Sequence, residues 1–151
     1  MTEQPQFNSV TPHLVCRDAA SAIGFYAKAF GASEMMRLPD AQGKLMHAAI
    51  ALNGSTVMLM DEYLDHGARS PKTIGGTGVV LHLMVPNVDA AFDKAVAAGA
   101  TVVMPVADMF WGDRYGQVED PFGHRWSLAT PVTTLTPEEM MENLRKMETA
   151  T

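Results

Sequence analysis

His13, His47 and His82 are the side chains of this chain best suited to hold a divalent ion or to move a proton near neutral pH. Each lies in an apolar, strand-like run, and Glu119 on a later strand is a fourth candidate ligand. A catalytic zinc, iron or manganese centre needs about three protein ligands. One expectation is therefore a metal on His82 with His13, His47 or Glu119, and the other is hydrogen-bonded pocket or core histidines. Phe110-Trp111-Gly112-Asp113-Arg114-Tyr115 reads as a glycine-flanked binding loop. Trp111 and Tyr115 can stack on a flat ligand, and Arg114 can pair with a carboxylate or phosphate. The competing reading is a structural loop in which Asp113 and Arg114 pair with each other. Among the methionines, most read as flexible core filling, while Met58 and Met60 share one strand face and can line an adaptable apolar site.

Other chemistry is poorly served. Cys16 ends an apolar strand, and in a strand the parity of His13 sends that imidazole to the other side, so Cys16 reads as an inert buried thiol. His66 and His124 read as surface residues. No phosphate-binding glycine loop, Ser-His-Asp signature or Cys-x-x-Cys pair occurs. The net charge is −6 and basic runs are missing, so nucleic acid and anionic membranes are poor partners. Hydrophobic residues make up 47% and charged residues 19%, a balance that builds a packed core. No apolar stretch approaches the roughly 20 residues of a membrane helix, and the first residues lack a signal-peptide core. With a single cysteine, the expectation is a cytoplasmic protein.

The elements that must carry these residues follow from pattern. Residues 10–16 read as a buried strand, and Asp18 can cap a helix whose face is Ala20, Ile23, Ala27 and Phe30, stopped at Gly31. Strands are expected at 34–38, 45–52 and 56–60, the last two joined by the Asn53-Gly54 hairpin signal. A long loop over 61–78 is a connector or a functional segment. A strand at 79–85 then precedes a helix capped by Asp89, whose face is Phe92, Val96 and Gly99, with Ala95 beside it. Strands at 101–106, 117–120 and 124–130 complete the second half, the last two joined by Pro121-Phe122-Gly123.

The halves match in order and in detail. Asp18-Ala19-Ala20 and Asp89-Ala90-Ala91 open the two helices, and Gly31-Ala32 and Gly99-Ala100 close them. Internal duplication gives an α+β chain of two tandem βαβββ modules, at 1–66 and 78–130, with a linker at 67–77. Residues 131–151 form a helix and tail, in which Thr136-Pro137-Glu138-Glu139 is a capping box and Met140, Leu144 and Met147 share one side.

The segment Asp18 to Tyr26, continuing to Phe30-Gly31-Ala32, and the segment Trp111 to Gly116 with Glu119-Asp120-Pro121-Phe122-Gly123-His124-Arg125-Trp126 resemble the vicinal oxygen chelate superfamily, the glyoxalase, bleomycin-resistance and dioxygenase group, and within it the PhnB-like branch. The resemblance spans about residues 8 to 148. It implies modules that curl around a concave cup, usually in a homodimer. It also implies ligand positions on the first and last strands of each module. Counted seven residues before each helix-opening Asp, and three after the Asp-Pro-x-Gly-His turn or its counterpart, these positions are Thr11, Met58, His82 and Ser127. Only His82 among them is a good ligand for a divalent ion. The leading expectation is a protein that binds a small, partly apolar or aromatic molecule in the cup without a cofactor or catalytic metal. The alternative is a metal-dependent enzyme of the glyoxalase or extradiol dioxygenase type with non-standard ligands around His82.

Overall fold

A computed structural model describes residues 7–150. The chain runs β1 (His13–Cys16), α1 (Ala19–Phe30), β2 (Ser33–Pro39), β3 (Leu45–Leu52) and β4 (Ser55–Asp61). A single 3-10 turn at Leu64–His66 and the short helix α2 (Pro71–Ile74) follow. The second half is β5 (Val80–Met84), α3 (Val88–Ala98), β6 (Thr101–Asp108), β7 (Asp113–Glu119) and β8 (Arg125–Pro131), then α4 (Pro137–Thr149). Each half closes one four-stranded mixed sheet, in the orders β1-β4-β3-β2 and β5-β8-β7-β6. The first strand of each pairs in parallel with the last, and the other pairings are antiparallel. The expected pair of βαβββ modules is therefore the architecture.

Local signals account for most boundaries. The Asp18 carboxylate accepts the Ser21 amide at 3.1 Å and starts α1. Asn53, at φ 48°, and Gly54 make the tight β3–β4 turn. Thr136 and Glu139 form the full capping box of α4, with Pro137 at its first position. Four expectations need correction, the first being the strand expected at 10–16, which begins only at His13, with Val10 exposed. The second helix is capped by Asn87, whose side chain accepts the Ala90 amide, and Asp89 lies within the first turn. The strand expected at 117–120 begins at Asp113, so Asp113, Arg114 and Tyr115 belong to a sheet and only Phe110 to Gly112 turn. The long connector is organised by Glu62, whose carboxylate accepts the Ser70 amide at 2.7 Å and the Ser70 hydroxyl at 2.5 Å.

α1 and α3 lie side by side, α1 packed on the first sheet and α3 on the second, and both modules share one core. α1 turns Ala19, Ala22, Ile23, Tyr26 and Ala29 inward, so the expected face is displaced and Ala20 and Ala27 are exposed. On α3, Val88, Phe92 and Ala95 are buried while Val96 faces solvent. The joint between modules is polar at its centre. Asp120, only 2% exposed, accepts the Tyr26 hydroxyl from the first module and the Trp126 indole N–H at 3.0 Å. Its other oxygen accepts the Phe122 and His124 amides. His124, expected at the surface, is partly buried and donates from Nε2 to the Val15 carbonyl at 3.0 Å. Asn53 donates to the Met84 carbonyl at 2.8 Å on the opposite side of the joint.

Candidate functional site

Strand parity separates each sheet into a helix-covered face and an open face. In the first sheet Leu14, Leu59, Ala48 and Ile50 point to the core. The alternate residues occupy the open face. His13 stands beside Met58, which pairs with Ala49, which pairs with Met36. One step along, Val15 stands beside Met60, and His47 beside Leu38. The His13 and His47 rings approach to 5.8 Å between centroids, edge to face. Desolvation first, and then the neighbouring His47, hold the His13 imidazole below its ordinary pKa.

In the second sheet the open face carries His82 beside Ser127, which pairs with Gln117, which pairs with Met104. The next row is Met84, Ala129 and Tyr115. These side chains interlock. His82 Nδ1 lies 2.7 Å from Ser127 Oγ, and His82 Nε2 lies 3.1 Å from Met84 Sδ. A thioether sulfur only accepts, so Nε2 carries the proton and Nδ1 accepts from the Ser127 hydroxyl. Tyr115 stacks on His82 at 5.9 Å and meets Trp111 edge-on at 5.2 Å. Gln117 donates to the Tyr115 hydroxyl at 2.8 Å, and the Trp111 indole donates to Asp113 at 3.1 Å. Trp111, Tyr115 and His82 thus form a continuous aromatic line along the open face. Ser127 is 2% exposed and its hydroxyl is committed to the imidazole, so it orients His82 and is not placed as a nucleophile.

The remaining candidates lie elsewhere. Arg114 has the opposite parity to Tyr115 and reaches the helix side, where it binds Asp89 bidentately at 2.8 and 2.9 Å and Asp108 at 3.2 Å. The expected Asp113–Arg114 pair does not form, because adjacent residues of a strand point to opposite faces. Glu119 is on the open face, level with Arg125, and the two pair at 3.5 Å. Thr11 precedes β1, and its hydroxyl is turned to the Asn8 carbonyl. The register shows why the count of seven missed. His13, not Thr11, is the counterpart of His82, since His13 faces Met58 as His82 faces Ser127. Each histidine stands five residues before the true helix cap, Asp18 or Asn87. Gln117 escaped the sequence reading, although it lies two residues from Tyr115 and so on its face. A crevice of about 460 Å³ opens between the modules, where Pro12 and Thr56 approach Val80, His82 and Met84.

The chain matches the model of the glyoxalase/bleomycin resistance protein/dioxygenase superfamily over residues 6–128. The chain belongs to this superfamily. It is 53% identical over 135 residues to an uncharacterized protein of Mycobacterium bovis, covering 87% of this chain and 89% of that protein. Its fold superimposes on TioX from Micromonospora sp. ML1 with a TM-score of 0.64 at 28% identity, covering 85% of this chain and 100% of TioX. A PhnB protein from Bacillus cereus, described as a putative 3-demethylubiquinone-9 3-methyltransferase, shares the fold at TM-score 0.64 and 22% identity, over 82% of this chain and 99% of that one.

Metal-dependent members of this superfamily imply a divalent ion at the register positions His13, Met58, His82 and Ser127. The donor set does not suit one. It offers two imidazoles on separate sheets, a thioether, and a hydroxyl already bonded to His82. Among the described residues no three His, Cys, Asp or Glu side chains gather as ligands. His13 and His47 meet, while His82 and Glu119 belong to the other sheet.

Proposed function

We propose that this superfamily member binds a small, flat, partly apolar molecule on the open face of its second sheet, without a divalent catalytic ion. The observation that carries this reading is the position of His82, where the crevice between modules meets the Trp111–Tyr115 line. The crevice volume of about 460 Å³ falls in the range of small-molecule sites. An aromatic ligand stacks on Tyr115 and Trp111, and the His82 Nε2–H, now held only by a weak sulfur acceptor, is the available donor. Met84 and Met104, on this same face, adapt to varied apolar shapes.

Two copies complete the cup. Leu38, Met84 and Met104, on the two open faces, are 52%, 45% and 40% exposed, and pairing would cover them. The unpaired thiol of Cys16 supports a reducing, cytoplasmic setting. The test is calorimetric titration with a panel of flat aromatic molecules, beside metal analysis of the purified protein. Stoichiometric binding that Tyr115→Ala and Trp111→Ala each weaken by more than about tenfold is expected. Zinc, nickel, iron and manganese are expected below stoichiometry. Stoichiometric divalent metal held through His82, with turnover lost in His82→Ala, would establish the metal-dependent enzyme instead.

A further inference from the structure

The open face of the first sheet has a different chemistry from the second. β4 lies between β1 and β3, so the His13 and His47 backbones stand two strand spacings apart, roughly 10 Å across the sheet. Their rings nevertheless approach to 5.8 Å. Both side chains therefore lean inward over β4, the strand that carries Met58 and Met60 on this face. His13 is level with Met58, and His47 is level with Met60. Two imidazoles sharing one ion at metal–nitrogen distances of about 2.0–2.1 Å bring their ring centres to roughly 5–6 Å. The observed separation falls there without rearrangement of the strands.

The donor types decide which ion. The register places His13, Val15, Met36, Leu38, His47, Ala49, Met58 and Met60 on this face, and none is a carboxylate. A doubly charged ion would find no anionic ligand. Two imidazole nitrogens and two thioethers match a soft ion of single charge, because uncharged thioether sulfur favours copper(I). We infer that His13, His47, Met58 and Met60 form a site for copper(I), or its analogue silver(I), on the open face of the first sheet. It shares His13 and Met58 with the divalent-ion positions discussed above but completes them with His47 and Met60 of the same sheet, apart from the His82 face, and it goes beyond the small-molecule reading.

The test is anaerobic titration of the full chain with copper(I) against the chromophoric chelator bicinchoninate. One equivalent per chain is expected to leave the chelator. Met58→Leu with Met60→Leu keeps side-chain volume, so the fold, followed by circular dichroism, should persist while affinity falls more than about tenfold. His47→Gln should lower it similarly. Met46→Leu, on the neighbouring position but the opposite face, should leave it unchanged. Failure of the wild-type protein to take copper(I) from bicinchoninate would overturn the site. So would full retention of copper(I) by the folded double methionine variant, or stoichiometric zinc on His13 and His47. None of these outcomes bears on aromatic-ligand binding at Tyr115, so the two readings fail independently.

Discussion

His13 and His82 occupy the same register position, one in each sheet of the duplicated fold. Their neighbours differ: His13 faces a thioether and leans toward His47, whereas His82 is locked by Ser127 and stacked on Tyr115. Duplication thus preserved the positions and changed the chemistry around them.

The lock on His82 is directly measurable. With Ser127 donating to Nδ1, the neutral ring should be the Nε2–H tautomer, visible in the imidazole 15N shifts. Ser127→Ala should bring both tautomers into exchange. A wild-type ring protonated at Nδ1 would contradict the hydrogen-bond assignment.

Asp120 holds the modules together. Replacing it by Ala leaves the Tyr26 hydroxyl, the Trp126 indole and two amides without their acceptor in a buried joint. A loss of at least about 3 kcal/mol in urea unfolding is expected. Tyr26→Phe removes one of these bonds and should cost about 1–2 kcal/mol, and a double-mutant cycle should show the two changes coupled.

Glu62 makes stability acid-sensitive. Its bonds from Ser70 and Thr73, with Arg17 nearby, lower its pKa from the ordinary 4.5 to about 2. A depressed folded-state pKa stabilises fully above the unfolded value and is lost as pH falls through the folded one. The urea midpoint should therefore drop between about pH 4.5 and 2, more steeply in the wild type than in Glu62→Gln.

Cys16 is fully buried, and burial followed by the nearby Asp120, Asp61 and Asp18 carboxylates pushes its thiol pKa far up. Labelling by a thiol reagent should then follow global unfolding and not local access. Fast labelling of the folded protein would contradict the packing of β1 against α1.

Gly112 sits at φ 104°, and a Cβ there would lie 2.3 Å from the Thr133 carbonyl oxygen. Gly112→Ala must shift backbone, so destabilisation of about 1–3 kcal/mol is expected. Trp111 should be disturbed with it, giving a changed near-ultraviolet dichroism.

The order of elements, the duplication and the ends of most strands were legible in the sequence because they rest on local chemistry. Caps such as Asp18 and Thr136, the Asn53-Gly54 turn and alternating apolar residues act within a few residues of themselves. The nearness of Met58 and Met60 on one face was legible for the same reason. The second helix misled because Asn87 and Asp89 are both good caps, and only the backbone decides between them. That two-residue ambiguity moved the counterpart of His82 from His13 to Thr11. The reach of Arg114 to Asp89 and the buried Tyr26–Asp120 joint were beyond sequence reading, since each spans separate elements brought together by packing. The sequence by itself determined which elements exist and which residues share a strand face. Only the tertiary structure decided which of those faces are open and which histidines meet on them, because strand register and helix docking join residues far apart in the chain.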